Sequence, residues 1–273
     1  MIAVLKKFFD LYTDKKIPRA AAALSYYLTM TVFPLIICLY TLLGNNYAKV
    51  MAILDFAEQF LSAEAIRNIK VFLNYVAVNH SMTMLLAGAM VLLTSASAAV
   101  RTLQTTIGEM QGGKRFQGLM DFLFSVIWSL AFLAAMYFAI LVMFTGQDFL
   151  EWINGLLPFV DISSSWRWIR FLLLGGIEFF IFWAIYRVSK RHTDGYPTFP
   201  GAIFATLAIV AMSFVFSGFI AVSARYPLVY GSLASLILLM FWLYLSCQII
   251  YIGAAMNIAL RDVRCERRRK AEE

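Results

Sequence analysis

FPGAIFATLAIVAMSFVFSGFIAV, running from Phe199 to Val222, contains no charged residue. As a helix it is about 36 Å long, more than the roughly 30 Å of a bilayer's hydrocarbon. Apolar side chains stand on every side of it rather than along one stripe. A helix apolar all round belongs in a lipid or a large core. Five further runs have comparable length and character: Ala20–Leu43, Met82–Leu103, Leu119–Thr145, Ile169–Ser189 and Val229–Leu260. The last is long enough to tilt or to begin outside the hydrocarbon.

Composition agrees with that reading. Hydrophobic residues make up 62% of the 273 and charged residues 14%, against about 45–50% and about 25% in soluble domains. Too little polar surface exists to cover so much apolar side chain, and lipid has to do it. The expected fold is all-α: an integral membrane bundle of six transmembrane helices over residues 1–260, followed by a basic tail at 261–273. A polar, basic segment precedes the first apolar run, so no removable signal peptide is expected.

Lysine and arginine set the orientation. One side receives Lys6, Lys7, Lys15, Lys16, Arg19, Arg101, Lys114, Arg115, Arg187, Lys190, Arg191 and the six basic residues from Arg261 to Lys270. The other receives Lys49, Arg67, Lys70, Arg167, Arg170 and Arg225. The positive-inside rule places the richer side, with both termini, in the cytoplasm. An even number of spans requires the ends to share a side. The net charge of +7 therefore has a membrane explanation, and the Arg267–Lys270 cluster is expected near anionic lipid rather than on nucleic acid.

The longest connection carries two amphipathic patterns. Val50, Ile53, Leu54, Ala57 and Leu61 share one helical face; Ile66, Ile69, Leu73 and Val76 share another, with Arg67, Lys70 and Asn74 elsewhere. They predict two short extracytoplasmic helices on the membrane surface, either as a lid over an entry or as packing that orders the connection. Trp152, Trp166 and Trp168 suit the membrane–water boundary.

The motifs of soluble catalysis are absent. There is no phosphate-binding glycine loop, no His-Glu-x-x-His and no Gly-x-Ser-x-Gly. His80 and His192 fall on opposite sides of the membrane and cannot share a metal. Cys38, Cys247 and Cys265 have no paired spacing. No cofactor and no enzyme activity are expected.

Glu178 is the most informative residue. It sits near the middle of the fourth span, where an unpaired charge costs a few kcal/mol or more. It is either a proton or substrate site, or a neutral acid bonded to a neighbouring helix. Arg101 and Asp121 lie near span ends, where snorkelling accounts for them and an ion pair is the alternative. Gln248 and Asn257 on the last span are amides that bridge helices or line a cavity. The small residues Ala20–Ala23 and Thr94–Ala99 mark packing seams. Pro34 removes a helix hydrogen bond and should kink the first span, as a gate or as fixed shape.

Two stretches carry a resemblance. The first is AAAALSYYLTMTVFPL from Ala20, with its Tyr26-Tyr27 pair and Pro34. The second combines FPGAIFAT from Phe199 with Gly201, YGSL at Tyr230-Gly231, FWLYLS with Trp242, and GAAMN from Gly253 to Asn257. In order and spacing the chain resembles the bacterial YihY / virulence factor BrkB family over nearly its whole length. The resemblance implies a six-helix protein of the bacterial cytoplasmic membrane with a role in the envelope, moving lipid or another solute. The ribonuclease label once attached to that family finds no support in these residues. The family commonly has an acid within the last motif, where this chain has Ala255. Glu178, Asn257 and Tyr26 are expected to line an interior cavity, with Gln248 and Arg101 as further candidates. Membrane lipids and an unidentified small-molecule or lipid substrate are the expected partners, with self-association into a homo-oligomer left open. A non-transporting scaffold is the alternative, and a membrane-bound nuclease the weakest reading.

Overall fold

A computed structural model describes residues 2–14, 16–42, 82–111, 166–189, 197–222 and 233–272, with further helical residues scattered through 66–74 and 123–138. Among the described residues there is no strand. Six helices are defined: α1 Ile2–Asp14, α2 Ile17–Leu42, α3 Met82–Met110, α4 Trp166–Val188, α5 Phe199–Val222 and α6 Leu233–Glu272. Four of them, α3 to α6, contain stretches long and apolar enough to cross a membrane.

Three boundaries differ from the sequence reading. The first twenty residues are not featureless: α1 forms because Phe8, Leu11 and Tyr12 pack against the core while Asp10 and Asp14 face out. The third helix continues past Leu103 to Met110, and Ile107 and Met110 are buried there. The basic tail is not separate from the last span. It continues the same helix to Glu272, 40 residues in all, or about 60 Å, with Val263 still buried.

The break between α1 and α2 falls at Lys16, whose φ of 48° is left-handed. Its carbonyl accepts from Arg19 and Ala20 at 2.9 and 3.2 Å and so starts α2. Pro18 sits in that first turn, where a missing N–H costs nothing. Pro34 lies buried inside α2.

Named bonds fix the helix directions. Lys7 of α1 donates to Glu266 near the end of α6 at 2.8 Å, so α2 starts where α6 finishes. Asn257 of α6 bonds the first turn of α5, while Phe216 late in α5 meets Phe241 early in α6, making α5 antiparallel to α6. Gln111, just past α3, donates to the carbonyl of Ser189, just past α4, at 3.0 Å. Helices α3, α4 and α6 thus run one way, and α2 and α5 the other. Between α3 and α4 in the chain, the fully buried Ser129 pairs with Ser97 in α3 at 3.3 Å; residues 126–131 and 133–135 are helical.

α6 is the hub, packing on α1, α2, α3 and α5, while α4 packs on α5 and α2 lies along α3. Thr31 of α2 donates to Ser95 of α3 at 3.1 Å, both hydroxyls also bonding their own helix carbonyls. The buried seams are built from small residues: Ala21, Ala96, Ala99, Ala202, Ala205, Ala254 and Ala255. The large apolar residues point the other way. Leu207, Phe214 and Val215 are 64%, 69% and 74% exposed, an arrangement that only a lipid surround makes favourable.

Candidate functional site

The most constrained part of the molecule is where α4, α5 and α6 meet near the ends that share the termini. Gly201 and Gly253 face each other there. A Cβ on Gly201 would come within 2.6 Å of the Asn257 Cγ and closer still to the Gly253 carbonyl oxygen. One on Gly253 would sit 2.5 Å from the Tyr186 hydroxyl and 2.8 Å from the Gly201 carbonyl oxygen. The two backbones can approach this closely only because neither residue has a side chain.

That approach brings Asn257, with no solvent exposure, onto the start of α5. Its Oδ1 accepts from the Gly201 N–H at 2.7 Å, and its Nδ2 donates to the Thr198 carbonyl at 3.3 Å. The first turn of a helix leaves N–H groups without intrahelical partners; Pro200 has none to leave, and Asn257 takes that of Gly201. Asn257 is therefore a cap supplied by another helix. Beside it, the fully buried Tyr186 donates its hydroxyl to the Ile250 carbonyl at 2.7 Å. Together with the Gln111–Ser189 bond, these contacts pin the end of α4.

Glu178 lies higher on the same helix. It shares a stripe with Phe182 and Tyr186 at intervals of four, and both of these are buried. Eleven residues separate it from Ser189, about 16 Å of helical rise, which is half the hydrocarbon thickness. Glu178 is partly buried, and no hydrogen bond or ion pair joins it to another described residue.

The other sequence candidates are dispersed. Tyr26 is 50% exposed on α2, away from that helix's buried face, stacked edge-on against Tyr27. Gln248 is partly buried on α6 and Arg101 is exposed on α3. Trp242 is partly buried, and its carbonyl accepts from Ser246. Asp121, Tyr230, Gly231, His80, His192 and the first amphipathic pattern lie outside the described residues. In the second pattern Ile66 is buried while Arg67 and Asn74 are exposed. Among the described residues no three His, Cys, Asp or Glu side chains converge as metal ligands would.

Sequence reasoning missed Tyr186, Gln111, the Ser97–Ser129 pair and the Lys7–Glu266 bond. For Tyr186 a signal existed, since it falls two helical steps of four beyond Glu178. The others join residues far apart in the chain and leave no local trace.

Fold and site together define an all-helical membrane protein whose last three described helices lock through glycines and an interhelical asparagine cap. The chain belongs to the virulence factor BrkB family, whose family model matches residues 8–273. It is similar to a putative ribonuclease-like protein, YfkH, of Bacillus subtilis, with 26% identity covering 95% of each chain. It is also similar to UPF0761 membrane proteins of Aggregatibacter aphrophilus (22% identity, 95% of this chain and 92% of the relative) and Mannheimia succiniciproducens (23%, 94% and 89%). No solved structure matches.

Proposed function

We propose that this protein moves a lipid or another solute across the bacterial cytoplasmic membrane, with Glu178 as the carboxyl that takes up a proton or meets the substrate. The observation that carries this reading is the position of Glu178: mid-span, on the stripe that continues into the buried contacts of α4, with no described partner. A carboxyl that served packing alone would be expected to rest on a neighbouring donor. The common direction of α3 and α4 supports six spans, since a third span between them would bring the chain back, and hence both termini on one side. The basic residues supply the choice of the cytoplasm for that side.

The test compares membrane lipid composition in cells carrying the unsubstituted protein, the Glu178→Gln variant or neither. The expected result is that Glu178→Gln matches the cells lacking the protein, at equal amounts of folded protein. A composition identical to that with unsubstituted protein would remove Glu178 from the mechanism.

A non-transporting scaffold is the second reading. It is favoured by α1 and the C-terminal part of α6, which together present a helical platform beyond the last span. Nuclease activity is the reading that the name of the Bacillus subtilis relative would suggest. Purified protein assayed on RNA with divalent metals is expected to show no turnover above that of a variant lacking Glu109, Asp262 and Glu266.

A further inference from the structure

At the terminus-bearing end of α4 and α5, four aromatic rings cluster, and a cation lies over one of them. Trp183 stands 5.9 Å from Phe199 and 5.5 Å from Phe180, and Phe179 is 5.8 Å from Phe199, ring centre to ring centre. The Arg187 guanidinium lies over the Trp183 ring at 5.1 Å. Arg187 is exposed, and no carboxylate among the described residues pairs with it. Its partner is a ring face, which attracts a cation without neutralising it. The indole Nε1 of Trp183 is buried without a hydrogen-bond partner.

Depth decides what fills this corner. Phe180 and Phe199 are 61% and 55% exposed on helices whose outer faces are in lipid, and Arg187 is in the last turn of α4. The cation therefore stands where hydrocarbon gives way to headgroups. The amino end of α5 begins at Phe199, and its partial positive charge adds to that of Arg187. An anion is favoured at this level, and the molecules that present one there carry apolar chains suited to the exposed face below.

We propose that the Arg187–Trp183–Phe199 corner binds the phosphodiester of an anionic phospholipid, the guanidinium holding the phosphate and an acyl chain lying along Phe180 and the outer face of α4. The site does not depend on the transport reading, and either can fail without the other.

Native mass spectrometry of the purified full-length protein, offered phosphatidylglycerol or phosphatidylcholine at equal concentration, reads the site directly. Losing one charge-assisted contact to the phosphate is expected to weaken phosphatidylglycerol retention about tenfold in Arg187→Gln. Arg187→Lys should retain part of the preference, and Arg264→Gln, on the exposed far end of α6, should leave it unchanged. A second measurement uses the unsubstituted protein: brominated phosphatidylglycerol should quench the fluorescence that Trp183→Phe removes, at lower mole fraction than brominated phosphatidylcholine. Equal retention of the two lipids, an unaltered preference in Arg187→Gln, or displacement of the lipid by inorganic phosphate would each overturn the proposal.

Discussion

Replacing Gly201 with alanine tests the joint between α5 and α6 with one methyl group. The new Cβ would sit within 2.6 Å of the Asn257 Cγ and press on the Gly253 carbonyl oxygen, so the helices must separate. Overpacking of this kind costs about 1–3 kcal/mol. Separation also stretches the 2.7 Å bond from Gly201 to Asn257, worth about 0.5–1.5 kcal/mol, nearer 0.6 for interhelical bonds in membranes. Against this, alanine favours the helix by up to about 1 kcal/mol. The balance is a loss of about 2 kcal/mol, some thirtyfold in the unfolding equilibrium. Titration of detergent-solubilised protein with sodium dodecyl sulfate, followed by tryptophan fluorescence, measures it. The controls are Gly175→Ala and Gly218→Ala, because a Cβ at either position meets nothing within 4 Å. Those two should be neutral or stabilised by up to about 1 kcal/mol. If Gly201→Ala behaves as the controls do, the close approach of the two backbones is not what holds this joint.

Other outcomes follow from the same geometry. Asn257→Ala leaves the buried Gly201 N–H without its acceptor and should cost about 1–3 kcal/mol in the same titration. Tyr186→Phe loses the bond to the Ile250 carbonyl at about 1 kcal/mol; combined with Gly253→Ala it should cost less than the sum, because the Gly253 methyl already displaces that hydroxyl. The Lys7–Glu266 bond lowers the Glu266 carboxyl below its usual 4.5 and raises the Lys7 ammonium above its usual 10.5, each chiefly through that hydrogen bond. The Glu266 contribution is present above pH 4.5 and lost as pH falls through the lowered value; that of Lys7 is present below pH 10.5 and lost as pH rises through the raised one. Amide exchange in α1, corrected for its intrinsic pH dependence, should therefore be slowest relative to the unfolded rate between these limits and relax outside them. Glu266→Gln should flatten that profile at the acid end.

Much of the spanning structure was open to inference because lipid imposes a local rule. Every backbone group must be satisfied within the helix, so an uncharged run such as Phe199–Val222 has one outcome, and α5 has the bounds the sequence predicts. Small residues at Ala20–Ala23 and Thr94–Ala99 likewise announce a seam, though not which helices form it, whereas Gly201 and Gly253 stand out only as parts of the family motifs. The rest depends on partners distant in sequence. α1 is amphipathic, but its docking rests on Lys7 meeting Glu266, 259 positions away. The charged end of α6 reads as a solvated tail until α1 is placed against it. By type alone Asn257 is a bridge between helices or a cavity residue; only the glycine contact that presses it onto Thr198 and Gly201 makes it a cap.

The distribution of these contacts along α4 also bears on movement. Tyr186, Trp183 and Ser189 hold one end, whereas Phe171, Leu172 and Leu173 are exposed, with Leu172 at 76%. Glu178 stands between the held and the exposed parts. Fourteen residues from Tyr186 to Leu172 make a lever of about 21 Å, so a tilt of roughly 10° about Tyr186 carries Leu172 about 4 Å. If Glu178 acts as proposed, changing its protonation, or its contact with a substrate, alters the cost of keeping that part of α4 against the bundle. Spin labels can test this after Cys38, Cys247 and Cys265 are replaced by alanine. One pair of labels replaces Leu172 and Ile237, on the outer halves of α4 and α6; the other replaces Arg187 and Arg264, near the held ends. The first pair should give a distance distribution that is the broader of the two and that shifts with Glu178→Gln, while the second stays fixed. Equal widths, with neither pair responding to Glu178→Gln, would mean that α4 is fixed along its whole length, and the pivot at Tyr186 would have to be abandoned.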